Sequence, residues 1–78
     1  MRLDIISADQ ILFQGEVTQV TLPGEMGSFT VLKNHASLIS VLVPGKIIYK
    51  DEQNEEHTKE VKGGIADIDN NVVSVCIY

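Results

Sequence analysis

Turn signals interrupt this chain at short intervals, and that spacing leaves room for little except short strands. Pro23-Gly24, Pro44-Gly45, Gly63-Gly64 and Asn70-Asn71 are the main breaks. Glycine and asparagine tolerate the backbone angles a turn needs, and proline cannot continue a ladder of hydrogen bonds. The intervening pieces at residues 3–7, 11–15, 17–22 and 28–32 are short and β-rich. In the third of them Val20 and Leu22 share one face while Gln19 and Thr21 share the other, the period-2 pattern of a half-buried strand. Residues 38–43 are nearly all apolar and fit either a fully buried strand or one buried helical turn; periodicity does not choose between them. Residues 45–50 and 56–62 flank the polar tip Asp51-Glu52-Gln53-Asn54-Glu55 as a hairpin would. Residues 65–68 and 72–77 flank Asp69-Asn70-Asn71, where the two asparagines suit a tight primed turn. Gly63-Gly64 marks a bulge or a close backbone approach. No long amphipathic helix is visible. The pattern predicts an all-β sandwich or barrel, a single domain over residues 1–78.

Size and charge narrow the functions open to such a domain. At 78 residues the chain buries only roughly 60% of its unfolded surface, so its core is modest. Its hydrophobic fraction of 44% is ordinary for a globular protein. A lone cysteine, Cys76, rules out an internal disulfide and fits a reducing compartment. The formal charge is −5, and the six Lys and Arg residues form no basic stripe. That argues against nucleic acid and against direct binding to anionic lipid. Asp4 interrupts the first apolar stretch, so no signal peptide is expected. No apolar run approaches the roughly 18 residues of a membrane span. Membrane association is therefore expected only through partner subunits.

Catalytic chemistry is thin. His35, His57 and Cys76 are the only good soft-metal ligands, and no two have ligand-like spacing. Asp67, Asp69 and Asn71 start like a calcium loop, but Val72 stands where glycine must turn and Tyr78 where a glutamate must close the site. Pro23-Gly24-Glu25-Met26-Gly27 lacks the lysine and hydroxyl of a phosphate loop. Ser37 lies near His35 without a nucleophile elbow around it. The charge run Asp51, Glu52, Glu55, Glu56 and Glu60, with Lys50, Lys59 and Lys62 beside it, reads as a solvated hairpin tip. No catalytic residue, metal or cofactor is expected, and no binding of ATP.

The order of short motifs adds what composition does not. Leu3-Asp4-Ile5-Ile6-Ser7-Ala8-Asp9-Gln10 resembles the opening strand and turn of ATP synthase epsilon subunits. Phe13-Gln14-Gly15-Glu16-Val17 is similar to that family's aromatic-x-Gly-x-Val element. Leu22-Pro23-Gly24-Glu25-Met26-Gly27-Ser28-Phe29 resembles its x-P-G-x-x-G-x-apolar loop, and residues 31–39 its G-x-L-P-G-H-A-P-L-L segment. Pro44-Gly45, Gly63-Gly64-Ile65-Ala66 and Asn71-Val72-Val73-Ser74-Val75 follow in the family's order. Departures occur at Lys33-Asn34-His35-Ala36-Ser37, which lacks the usual prolines and glycine, and at Ala66-Asp67, where x-Glu is usual. Asn34 can still take a left-handed turn.

The resemblance implies a flattened β-sandwich of two mostly antiparallel sheets, without long helices. It implies a non-catalytic rotor subunit of the central stalk, coupling the gamma subunit to the membrane c-ring of a proton- or sodium-translocating ATP synthase. The place implied is peripheral, on the cytoplasmic face of the bacterial inner membrane. By position, Ser7 and His35 correspond to the gamma-facing side, and Glu25, Met26, Gly27 and Ser28 to the loop that touches the c-ring. The bland alternatives are that Ser7 ends a strand and His35 satisfies backbone groups in a turn. An exposed Met26 would favour an interface, because methionine adapts to contact surfaces. Most family members continue into a two-helix C-terminal hairpin; the start at Met1 and the ending on a strand point to a naturally short member that couples without inhibiting hydrolysis. A generic β-sandwich interaction module and a small hydrolase or ligand-binding barrel are the other classes.

Overall fold

A computed structural model describes residues 1–78. Eight strands follow one another: β1 (Arg2–Ser7), β2 (Gln10–Gly24), β3 (Gly27–Leu32), β4 (Leu38–Leu42), β5 (Gly45–Asp51), β6 (Glu56–Val61), β7 (Gly64–Asp69) and β8 (Val72–Ile77). There is no helix. The ladder pairs β1 with β2 and β8, β8 with β7, β7 with β4, and β2 with β3, β5 and, at Gly24–Leu42, β4; β5 pairs with β6. Only the β1–β8 pairing is parallel. The expected all-β sandwich is present.

Strand β2 joins the two layers. Its first half pairs with β1, extending the sheet β1–β8–β7–β4. Its second half lies between β3 and β5, in the sheet that ends at β6. Two separate pieces were expected at residues 11–15 and 17–22; they are one strand of 15 residues. Gly15 and Glu16 are poor strand formers, but Leu3 and Arg2 of β1 stand opposite them and carry the ladder through. A slip in register between Val17 and Gln19 lets the strand pass from one sheet to the other.

Alternation places the core. Leu3 and Ile5, Ala66 and Ile68, and Val73 and Val75 point inward from β1, β7 and β8. Val17, Val20 and Leu22 join them from β2, with Val31, Leu42, Ile47 and Val61 completing a single cluster of 13 buried side chains. Phe13 and Tyr49 pack against it with ring centroids 4.5 Å apart. Of the stretch at residues 38–43, Leu38–Leu42 is a strand, and the expectation of full burial fails there. Leu42 is buried, whereas Ile39 and Val41 face outward, because no second layer covers that side of the sheet.

The turns follow their residue chemistry. Asn70 and Asn71 take φ of 51° and 62°, as a primed hairpin turn requires, and Asn34 takes 65°. At Gly64 a close approach is confirmed: an added Cβ would run into the carbonyl group of Cys76 on the paired strand.

Candidate functional site

The hairpin between β2 and β3 carries the most exposed large apolar side chain, Met26. Gly24 pairs with Gly27, so Glu25 and Met26 form its tip. Gly27 takes φ of 121°, an angle that favours glycine. The Glu25 amide donates to the Val41 carbonyl at 2.9 Å, and the Val43 amide donates to the Pro23 carbonyl at 2.9 Å. These bonds pin the hairpin to β4. Met26 is left 95% exposed, and Glu25, Gly27 and Ser28 are exposed beside it. Met26, Phe29, Leu38, Ile39 and Val41 line a groove of about 420 Å³ between the hairpin and β4.

Ser7 and His35 lie at opposite ends of the other sheet. Ser7 closes β1, opposite Gln10. His35 sits in the turn after β3; its amide donates to the Leu32 carbonyl at 3.1 Å, and its Nδ1 lies 2.7 Å from the Ala36 carbonyl. That turn is tied to the β7–β8 turn, because the Asn34 amide donates to Asn71 Oδ1 at 2.6 Å and Ser37 Oγ donates to Asp69 Oδ1 at 2.6 Å. Asn71 in turn adjoins Arg2 at the start of β1, through the Arg2 amide and the Asn71 carbonyl. His35 thus stands by the first residues of β1 and Ser7 by its last. The local bonds of His35 match its bland reading as a turn residue. The hairpin tip lies toward the Ser7 end, since Leu42 opposes Gly64 and Gly64 opposes Ile77.

Two features went unread in the sequence. The first is an acid–imidazole pair at the β5–β6 hairpin. Asp51 Oδ1 accepts from the Gln53 and Glu55 amides at 2.9 and 3.0 Å, and Asp51 Oδ2 lies 2.8 Å from His57 Nε2. The His57 hydrogen bond, followed by the Glu55 amide, holds the Asp51 carboxyl below its ordinary range. Tyr49 stacks on His57 with centroids 5.2 Å apart, and burial followed by the Asp51 charge raises its phenol. An Asp whose carboxylate can cap amides two and four residues on was the available signal. The second is the outward face of β4, β7, β8 and β1, where apolar residues alternate with core residues and meet only across strands. No group of three or more His, Cys, Asp or Glu side chains is arranged to hold a metal ion.

Sequence comparison matches residues 1–77 to the ATP synthase delta/epsilon chain β-sandwich domain. The chain belongs to this family. The epsilon chain of Xanthomonas campestris pv. campestris is 38% identical over 77 residues, covering 99% of this chain and 55% of that relative. The epsilon chain of Stenotrophomonas maltophilia is 39% identical over 75 residues, covering 96% and 54%. The chain therefore spans about half the length of the curated relatives it matches. Among solved structures, a chain of the Euglena gracilis mitochondrial ATP synthase (OSCP/F1/c-ring) superposes with TM-score 0.90 at 23% identity, over 96% of this chain and 48% of that one. A chain of the Tetrahymena thermophila mitochondrial ATP synthase (central stalk/c-ring) gives TM-score 0.78 at 14% identity, over 97% and 61%. At those identities the likeness shows the fold alone.

Proposed function

We propose that this chain is the β-sandwich domain of an epsilon-type rotor subunit. In this role it is non-catalytic and couples the gamma subunit to the c-ring in the central stalk of a rotary ATP synthase. The observation that carries the reading is the family match, which extends over residues 1–77. The bacterial epsilon chains among its relatives favour the cytoplasmic face of a bacterial inner membrane as its place, peripheral and held through partner subunits.

The geometry supports a division of labour. Glu25, Met26, Gly27 and Ser28 form the c-ring contact: the hairpin tip is pinned at its base by the bonds to β4, and an exposed methionine can fit a polar-loop surface closely. Ser7 and His35 mark the two ends of the gamma-facing side. A fully solvated hairpin would gain nothing from presenting Met26 to water.

The test is a pull-down of the tagged chain from detergent-solubilised membranes, read by mass spectrometry. Recovery of gamma and c subunits supports the reading. Recovery of other proteins without them replaces it with a general interaction module.

A further inference from the structure

We infer that Met26 is a site of reversible oxidation, at which a peroxide converts the thioether to a sulfoxide in the free chain and so blocks docking of the β2–β3 hairpin. The inference rests on the rotor reading above for what the hairpin docks to, the c-ring. Access carries the chemical half of it. Met26 is 95% exposed at the hairpin tip. A thioether has no proton to lose before it reacts, so the exposure of its sulfur governs its rate. The sulfur lone pair attacks one peroxide oxygen, and an S–O bond forms as the O–O bond breaks. The proton on the transferred oxygen passes to the oxygen that leaves, as water or, from an organic peroxide, as an alcohol. Sulfur gives up two electrons and the peroxide takes up the same two. The chain's other methionine is an internal contrast, because the Met1 side chain is 2% exposed and packs against the core.

The groove beside Met26 gives the product no partner. Sulfoxidation turns a flexible apolar side chain into a polar one whose oxygen accepts hydrogen bonds. Of the side chains lining the groove between the hairpin and β4, only Glu25 and Ser40 are polar. A carboxylate offers acceptors alone, and Ser40 Oγ donates to the Val41 carbonyl at 3.2 Å. The Glu25 amide is committed to the same carbonyl at 2.9 Å. A sulfoxide at position 26 is therefore satisfied by water, and a contact that strips the water away leaves its oxygen unpaired. The fold does not depend on the thioether. Backbone holds the hairpin, through the ladder from Gly24–Gly27 to Gln19–Leu32 and the bonds of Glu25 and Val43 to their neighbours. Met26 is also outside the buried cluster. Oxidation thus acts on docking and leaves the domain intact. A docked hairpin covers the same side chain, so the reaction reads the unassembled chain, and reduction of the sulfoxide returns it to use.

The experiment treats the tagged chain with hydrogen peroxide, removes the peroxide, and mixes the chain with detergent-solubilised membranes. Recovered proteins are read by mass spectrometry, and intact mass with the Met26 peptide gives the extent of oxidation. A second portion is reduced with methionine sulfoxide reductase before mixing. Met26→Leu, which cannot form the sulfoxide, is carried through both steps. Expected is oxidation of Met26 about tenfold or more faster than of Met1, with a melting curve that the treatment leaves unchanged. Recovery of c subunits should fall about tenfold or more on oxidation and return on reduction. Met26→Leu should give the same recovery before and after peroxide, whatever its own level.

Equal recovery of c subunits and gamma by the oxidised and the untreated chain overturns the inference and leaves the rotor reading standing. Recovery of neither by the untreated chain overturns the rotor reading and the inference with it. Loss of recovery after peroxide in Met26→Leu moves the effect to Cys76 or Met1 and overturns the inference. A lowered melting temperature of the oxidised wild type does the same, by assigning the loss to unfolding. A loss that the reductase does not repair overturns the reversibility.

Discussion

Asn34 and Asn71 clasp each other across the fold. The backbone amide of Asn34 donates to Asn71 Oδ1 at 2.6 Å, and Asn71 Nδ2 donates back to Asn34 Oδ1 at 3.1 Å. Both residues hold positive φ, so each turn that is costly to form places its side chain where the other can use it. Replacing Asn71 with alanine removes both bonds and the turn preference, and we expect a loss of about 1–2 kcal/mol in unfolding free energy. A cycle with Asn34→Ala, followed by urea denaturation, should give less than the sum of the two single losses. Additive losses would show that the Asn71 Nδ2–Asn34 Oδ1 bond contributes nothing, since alanine at position 34 keeps the backbone amide that bonds Asn71 Oδ1.

Gly64 and Gly27 test two different reasons for a glycine. An alanine at Gly64 would drive its Cβ into the Cys76 carbonyl of the neighbouring strand, and backbone there has nowhere to move without breaking the ladder. An alanine at Gly27 meets open space and strains only φ. The expected cost is on the order of 3 kcal/mol or more for Gly64→Ala, against about 1–2 kcal/mol for Gly27→Ala. Thermal melts of the two variants should fall in that order.

Asp51 makes stability depend on pH in acid. Its carboxyl is held below the ordinary value of 3.8, first by His57 and then by the Glu55 amide. A folded-state value below the unfolded one means that the unfolded chain binds the proton more readily. The contribution is thus fully present above the unfolded value and is lost as pH falls through the lower folded value. Melting curves of wild type and Asp51→Asn should differ most above the ordinary carboxylate range and converge as pH falls below it. A gap that is constant across this range would refute the assignment.

Met26 should separate docking from folding. At 95% exposure it contributes nothing to the core, so Met26→Asp should melt like wild type. Under the proposed role, the aspartate loses water at the c-ring contact without a partner, and association should weaken by about 1–3 kcal/mol. Reconstitution of the variant with c-ring and gamma, scored by proton pumping, measures this; coupling equal to wild type places the contact elsewhere.

Much of this fold was readable in advance where one residue's chemistry decides the backbone. Asn34, Asn70, Asn71 and Gly64 sit in the turns and close approach that their side chains, or lack of one, predict. Two errors share a cause. Residues 10–24 form one strand because β1 lends partners to Gly15 and Glu16, and Ile39 and Val41 are exposed because nothing lies over their side of β4. Both depend on which strand lies next to which, a fact that periodicity within one segment does not contain. The same limit hid the apolar outward face of β4, β7, β8 and β1, whose members become neighbours only through register. Ser7 and His35 could be singled out by motif order, whereas their placement at opposite ends of a sheet required the pairing of β1 with β8 and of Asn34 with Asn71.

That parallel pairing also governs how the chain can come into being. On the edge away from β2, Arg2–Ile6 finds its ladder partners only in Val72–Cys76, the last strand of the domain. During synthesis β1 can form a hairpin with β2 early, but its other edge stays open until β8 has been made. The sheet therefore closes in one late event, with a large loop-closure entropy and the slow kinetics of non-local β topologies. Without β8 the domain has two adhesive edges, at β1 and β7, and a half-open core. Whether the core is sealed is thus decided by β8 alone.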